Sequence, residues 1–161
     1  MQLVTTSFVA RALATGWLLA SACTSKQPEP APSSAMSWTV DNTTYRATTA
    51  TATLRGSSID LTGVAAAGAS SHAINLSVPA AVGTYSTTAP APAYYYLAYS
   101  ISAGPSTVLY AAANGGGSGT GSVTVATFSA TDVTGTFAFV GGTASGGPGK
   151  VITNGTFAIK R

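Results

Sequence analysis

From Thr49 onward the chain alternates. Thr49, Thr51 and Thr53 are interleaved with Ala50, Ala52 and Leu54, a turn follows at Arg55-Gly56-Ser57-Ser58, and Ile59 and Leu61 resume the pattern. A period of two on both sides of a Gly/Ser turn predicts a β-hairpin. Ile74, Leu76 and Val78 share one face of a further strand that stops at Pro79, because proline has no N–H to give a ladder. Beyond it, Tyr95, Leu97, Tyr99 and Ile101 fall on one side of a strand, and Tyr94 and Tyr96 on the other. Val108, Leu109 and Tyr110 form a short strand ahead of the Gly-rich loop NGGGSGTG. The last third predicts three strands whose inward residues are Val123 and Val125, then Val133, Phe137 and Phe139, then Val151, Phe157 and Ile159. Asn154-Gly155 has hairpin chemistry, yet too few residues follow it, so a bulge inside one closing strand is expected. The elements amount to about eight or nine short strands at the spacing of a sandwich or small barrel. An all-β domain over residues 38–161 is predicted, an antiparallel meander whose closure hides strand edges that few charges could blunt.

Ahead of Ser34 the pattern is different. Met1 to Arg11 carries one positive charge, Ala12 to Leu19 is a short apolar run, and Ala20-Ser21-Ala22 are small. A bilayer needs roughly 20 predominantly apolar residues, so the run is too short to span one. Residues 1–22 therefore read as an export signal. Cys23, the only cysteine, follows at once, whereas exported chains usually carry cysteines in even numbers for disulfides.

The stretch Ala20-Ser21-Ala22-Cys23 resembles the lipobox of bacterial lipoproteins, where small residues precede a cysteine that becomes the mature amino terminus. Leu is more usual where Ala20 stands. The resemblance implies a thioether-linked diacylglycerol on the Cys23 sulfur and an acylated amino group, and several chains together give stable membrane anchoring where one does not. The alternative is an ordinary secretory signal cut at the same bond, which leaves Cys23 a free thiol. Residues 23–37, with prolines at 28, 30 and 32, read as an extended tether. Thr24 after the cysteine, where inner-membrane retention usually has Asp, implies the outer membrane by the same resemblance. Whether the domain faces the periplasm or the cell surface stays open.

Composition narrows the function classes. Of the 161 residues only 7% are charged, and 45% are hydrophobic. Helix-forming runs of Glu, Lys, Gln and Leu are missing after Ser34, which argues against sustained helix. The domain's cations, Arg46, Arg55, Lys150, Lys160 and Arg161, form no stripe interleaved with aromatics, so the net charge of +3 does not point to nucleic acid.

Catalytic chemistry is sparse. His72 is the single histidine. With Asp60 as orienter it lacks a marked serine nucleophile, since no G-x-S-x-G elbow occurs, and a solvated loop or strand-end position is expected. One His and one committed Cys cannot supply the four N/S donors of a structural zinc site. Asp41, Asp60 and Asp132 are isolated, without calcium-loop spacing. Asp132 is expected to bond the backbone of a hairpin turn. The Gly-rich segments, NGGGSGTG and GGTASGGPG, lack phosphate-loop spacing and precede strands rather than helices. No catalytic residue, metal or cofactor is predicted, and no enzyme.

The tyrosine cluster is the one candidate site. If Tyr94 and Tyr96 face solvent, their flat rings and hydroxyls suit a sugar ring or a protein partner. If they do not, they are edge packing beside a core of Tyr95, Leu97 and Tyr99. The segments MSWTVDNTTYRATTATATL, GGGSGTGSVTVATFSATDVTGTFAFV and GKVITNGTFAIK together resemble small uncharacterised lipoproteins of the Bacteroidota, over nearly all the chain after the signal. That resemblance rests on strands and turns and carries no functional residue. The expectation is a lipid-anchored cell-envelope protein with a non-catalytic domain in a structural or protein-interaction role. The alternative is a carbohydrate or small-ligand binding module using the Tyr94–Tyr99 cluster. Its partners would be the membrane, through the anchor, and an envelope protein or glycan.

Overall fold

A computed structural model describes residues 34–90, 94–114 and 119–161. The signal, Cys23, the tether up to residue 33 and Gly115–Ser118 of the Gly-rich loop lie outside the described residues. The described residues form eleven strands: β1 (Ala35–Val40), β2 (Thr43–Arg46), β3 (Thr49–Arg55), β4 (Ser58–Ala67), β5 (Ser70–Pro79), β6 (Gly83–Ser86), β7 (Tyr96–Ala103), β8 (Ser106–Ala113), β9 (Thr120–Phe128), β10 (Asp132–Gly141) and β11 (Lys150–Lys160). They form two antiparallel sheets, ordered β2-β1-β11-β10-β9-β6 and β3-β4-β5-β7-β8. The fold is an all-β sandwich.

The count exceeds the expected eight or nine because short strands leave little apolar pattern. β2 is four residues long and follows a two-residue turn, Asp41-Asn42, with φ of 49° and 62°. Two consecutive left-handed residues make a turn whose twist matches paired strands, and Asp and Asn tolerate that backbone. β6 leaves the meander to pair with β9 in the other sheet.

The chain changes sheets at a corner. The Ala47 N–H donates to Met36 of β1 at 2.8 Å, and the next N–H, Thr48, donates to Val64 of β4 at 2.7 Å. On the opposite flank Ala111 and Gly142 exchange backbone bonds of 2.8 and 3.0 Å between β8 and the end of β10.

Inward residues read from alternation are where the pattern put them. Ile59, Leu61, Ile74, Leu76, Val78, Val123, Val125 and Val133 are buried, with Phe137, Phe139, Phe157 and Ile159 beside them. Val151 is not: it is 55% exposed, and Ile152 takes the core position. The expected bulge explains the error. Phe137 faces Gly155 and Phe139 faces Ile152, so β11 carries one extra residue, with Asn154 at φ 51°. An inserted residue reverses side-chain parity across it. Counting back by twos from Phe157 thus lands on the wrong face.

Beside the bulge, Gly135 faces Phe157 and Gly155 faces Phe137 across the β10–β11 ladder. A Cβ on either glycine would overlap the facing phenyl ring. Each glycine is therefore the floor on which a core aromatic lies.

Candidate functional site

The tyrosine strand is held from beneath. Buried Asn114, at the end of β8, accepts the Tyr95 N–H on Oδ1 at 2.6 Å, and its own N–H donates to the Tyr95 carbonyl at 3.3 Å. That clasp fixes parity at the start of β7. Tyr95 turns inward against Tyr85, ring centroids 5.6 Å apart, and Leu97 and Tyr99 continue into the core. Tyr94 and Tyr96 turn outward, as the alternation predicts. Their rings stack 6.3 Å apart at 10°, and Tyr94 is 64% exposed.

Tyr96 is also the wall of a groove of about 330 Å³ on the outer face of the five-stranded sheet. Its floor comes from three other strands: Thr53 and Arg55 of β3, Asp60 and Thr62 of β4, and Asn75 and Ser77 of β5. Asp60 forms an ion pair with the exposed Arg55 guanidinium and accepts the Ser77 hydroxyl at 2.8 Å. Thr62 donates to the Asn75 carbonyl oxygen at 3.1 Å, which leaves the Asn75 amide to point its N–H groups elsewhere. Burial, with the nearby Tyr94, raises the Tyr96 phenol above its ordinary pKa, so the hydroxyl stays protonated, able to donate and accept.

His72 is not the solvated residue expected. It is 7% exposed, between the sheets. Its ring stacks on Tyr45 at 4.2 Å, and Trp38, Tyr45, His72, Tyr99 and Tyr110 follow one another as stacked rings. Its hydrogen bonds fix the tautomer. Ser70 Oγ donates to the Ala67 carbonyl at 2.9 Å, so it accepts from His72 Nε2 at 3.4 Å. Nδ1 is then the acceptor of the Tyr99 hydroxyl at 2.6 Å. Burial lowers the His72 pKa and raises that of Tyr99. A neutral imidazole between two hydroxyls is what this environment favours. Asp60, the candidate orienter, is instead engaged with Arg55 and Ser77 on the opposite face of the same sheet.

The other candidates resolve simply. Ser129, not Asp132, shapes the β9–β10 turn, its Oγ accepting the N–H groups of Thr131 at 3.2 Å and Asp132 at 2.9 Å. Asp132 pairs with Lys160 at 2.8 Å, and these contacts hold its carboxyl below the usual range. Asp41 pairs with Lys150, which raises the lysine. Among the described residues no three His, Cys, Asp or Glu converge as a metal site would need. No helix among them is long and apolar enough to cross a membrane.

A family profile, described as a domain of unknown function, DUF6252, matches residues 33–159. The chain belongs to the DUF6252 family. No curated protein and no solved structure matches it. The DUF6252 match covers both sheets and every residue of the tyrosine groove. Sequence alternation found Tyr94 and Tyr96, gave Asp60 only the role of a triad orienter, and missed Arg55, Asn75 and Ser77. Their only sequence signal was an outward parity within strands whose register could not be read.

Proposed function

We propose that this DUF6252 protein is a lipid-anchored envelope protein whose sandwich is a non-catalytic carbohydrate-binding module. One observation carries the reading: the exposed Tyr94 ring stacks near-parallel on the half-buried Tyr96, which walls a groove floored by paired polar side chains. The flat apolar face of a pyranose suits an aromatic platform, and its hydroxyls suit fixed donors and acceptors that are already paired with each other. The anchor remains the reading of Cys23, with the outer membrane as its expected site.

Binding to a panel of oligosaccharides, measured by calorimetry with full-length protein in detergent, tests the platform. Tyr94→Ala with Tyr96→Ala is expected to weaken binding at least about tenfold, as loss of an aromatic hot spot does. Wild-type protein that binds no member of the panel rules the carbohydrate reading out. Protease accessibility on intact cells, native against Cys23→Ala, tests the anchor. Membrane association lost in the variant supports lipidation, and shaving of the native domain would place it on the cell surface.

A structural or protein-interaction role is the second reading. Edge strand β8 favours it, since Val108 and Leu109 are each nearly half exposed beside unpaired ladder positions. Pull-down by the wild type but not by Val108→Lys with Leu109→Lys would support this reading.

A further inference from the structure

The groove's charge and register say more about its ligand. Resting on the carbohydrate reading above, we infer that the groove takes a neutral oligosaccharide lying across the strands, and that Asp60 is the residue that sets this preference.

The direction follows from the ladder register. Thr53 faces Asp60, Asp60 faces Ser77, and Ser77 faces Tyr96, so these four side chains form one row running from β3 to β7. A second row, Thr51, Thr62 and Asn75, lies beside it and ends at Ala98, whose methyl adds no polar group. Three strand spacings of about 4.8 Å make the row roughly 14 Å long, enough for a short run of sugar rings. At its β7 end the row meets the Tyr96 ring, stacked on Tyr94. A chain laid along the row would stack one ring there and present its hydroxyls to the polar floor.

The preference follows from the charges. Among the described residues Arg55 and Asp60 are the only charged side chains lining the groove, and they are paired with each other. Both Asp60 oxygens are occupied, one by Arg55 and the other by Ser77. The exposed guanidinium is therefore charge-balanced by Asp60, with N–H groups left over for sugar hydroxyls. A uronic acid can reach Arg55 only by setting its carboxylate beside Asp60, and an amino sugar can reach Asp60 only by setting its ammonium beside Arg55, so each attraction comes with a repulsion. Uncharged hydroxyls meet neither repulsion, since each both donates and accepts.

Asp60→Asn tests the inference, because it keeps size and an oxygen for the Ser77 hydroxyl while removing the charge that cancels Arg55. Wild-type and variant full-length proteins are titrated with neutral oligosaccharides of glucose, mannose and xylose, and with oligogalacturonate. The wild type is expected to bind a neutral series and to bind oligogalacturonate at least about tenfold more weakly. The variant is expected to gain about tenfold for oligogalacturonate, the size of one hydrogen bond to a charged group, and to lose that gain in high salt. Arg55→Gln is the reciprocal variant on an exposed side chain and serves if Asp60→Asn does not fold. It leaves Asp60 uncancelled, so it should depress oligogalacturonate further and admit oligomers of glucosamine. Wild-type preference for oligogalacturonate overturns the inference and leaves the carbohydrate reading standing. So do folded variants that bind sugars with unchanged charge preference. Absence of binding to every oligosaccharide overturns both.

Discussion

Tyr96 and Tyr99 are three residues apart on one strand and do opposite work. Tyr99 is 1% exposed, fourth in a run of five stacked rings, with its hydroxyl committed to a buried imidazole. Tyr96 faces out, stacked on an exposed neighbour, and walls a polar groove. The residue type is the same, and the environment decides whether the ring stabilises the fold or is offered to a ligand. The inner rings bridge the two sheets: Trp38 and Tyr45 belong to one, His72, Tyr99 and Tyr110 to the other. The outer pair stacks on itself at the start of one strand, β7.

Truncating the inner set should break the contrast most visibly. Tyr99→Ala is expected to cost roughly 3–5 kcal/mol in urea unfolding, the range for emptying a large core site. Tyr99→Phe keeps the ring but strands His72 Nδ1 without its donor, and a loss of about 1–3 kcal/mol is expected. The pH dependence sharpens the same point. Because burial holds the folded His72 below the unfolded value of 6.5, the unfolded chain takes up a proton first as the medium acidifies. Stability contributed by neutral His72 is thus complete above about 6.5 and declines below it, until the folded pKa is passed. Chemical unfolding from pH 7.5 down to 4.5 should show this decline, and His72→Gln should flatten it; an equal slope in the variant would assign the decline to other groups. The smallest stability effect belongs to the outer pair. Tyr94→Ala should shift unfolding by no more than about 0.5 kcal/mol, so any change it makes in ligand binding is read without a folding artefact.

Much of this was legible in the sequence, and the misses have separate causes. Strands β4 and β5 pair without a register shift from Ser58–Pro79 to Ala67–Ser70, so counting by twos placed Ile59, Leu61, Ile74, Leu76 and Val78 correctly. His72 shares the parity of Ile74, Leu76 and Val78, so its burial was available to the same count. Its polarity argued for solvent, and only the hydroxyls of Tyr99 and Ser70, distant or poorly marked in sequence, make burial affordable. Val151 failed because the count crossed an inserted residue. The groove failed for a third reason: Arg55, Asp60, Asn75, Ser77 and Tyr96 come from four strands, and ladder register is a tertiary fact.

The pairing of β1 with β11 has a consequence in time. Ser37 bonds Thr156, 119 positions later, in the middle of the six-stranded sheet. That sheet cannot be completed while β11 is still unavailable, because β1 and β2 have no other place in it. Contacts of such long separation also slow folding toward the millisecond-to-second range of β-sandwiches. A chain emerging from its amino terminus would accordingly hold β1 and β2 without their sheet partner until β11 had followed, whereas β3 to β8 could pair earlier, a delay written into the strand order itself.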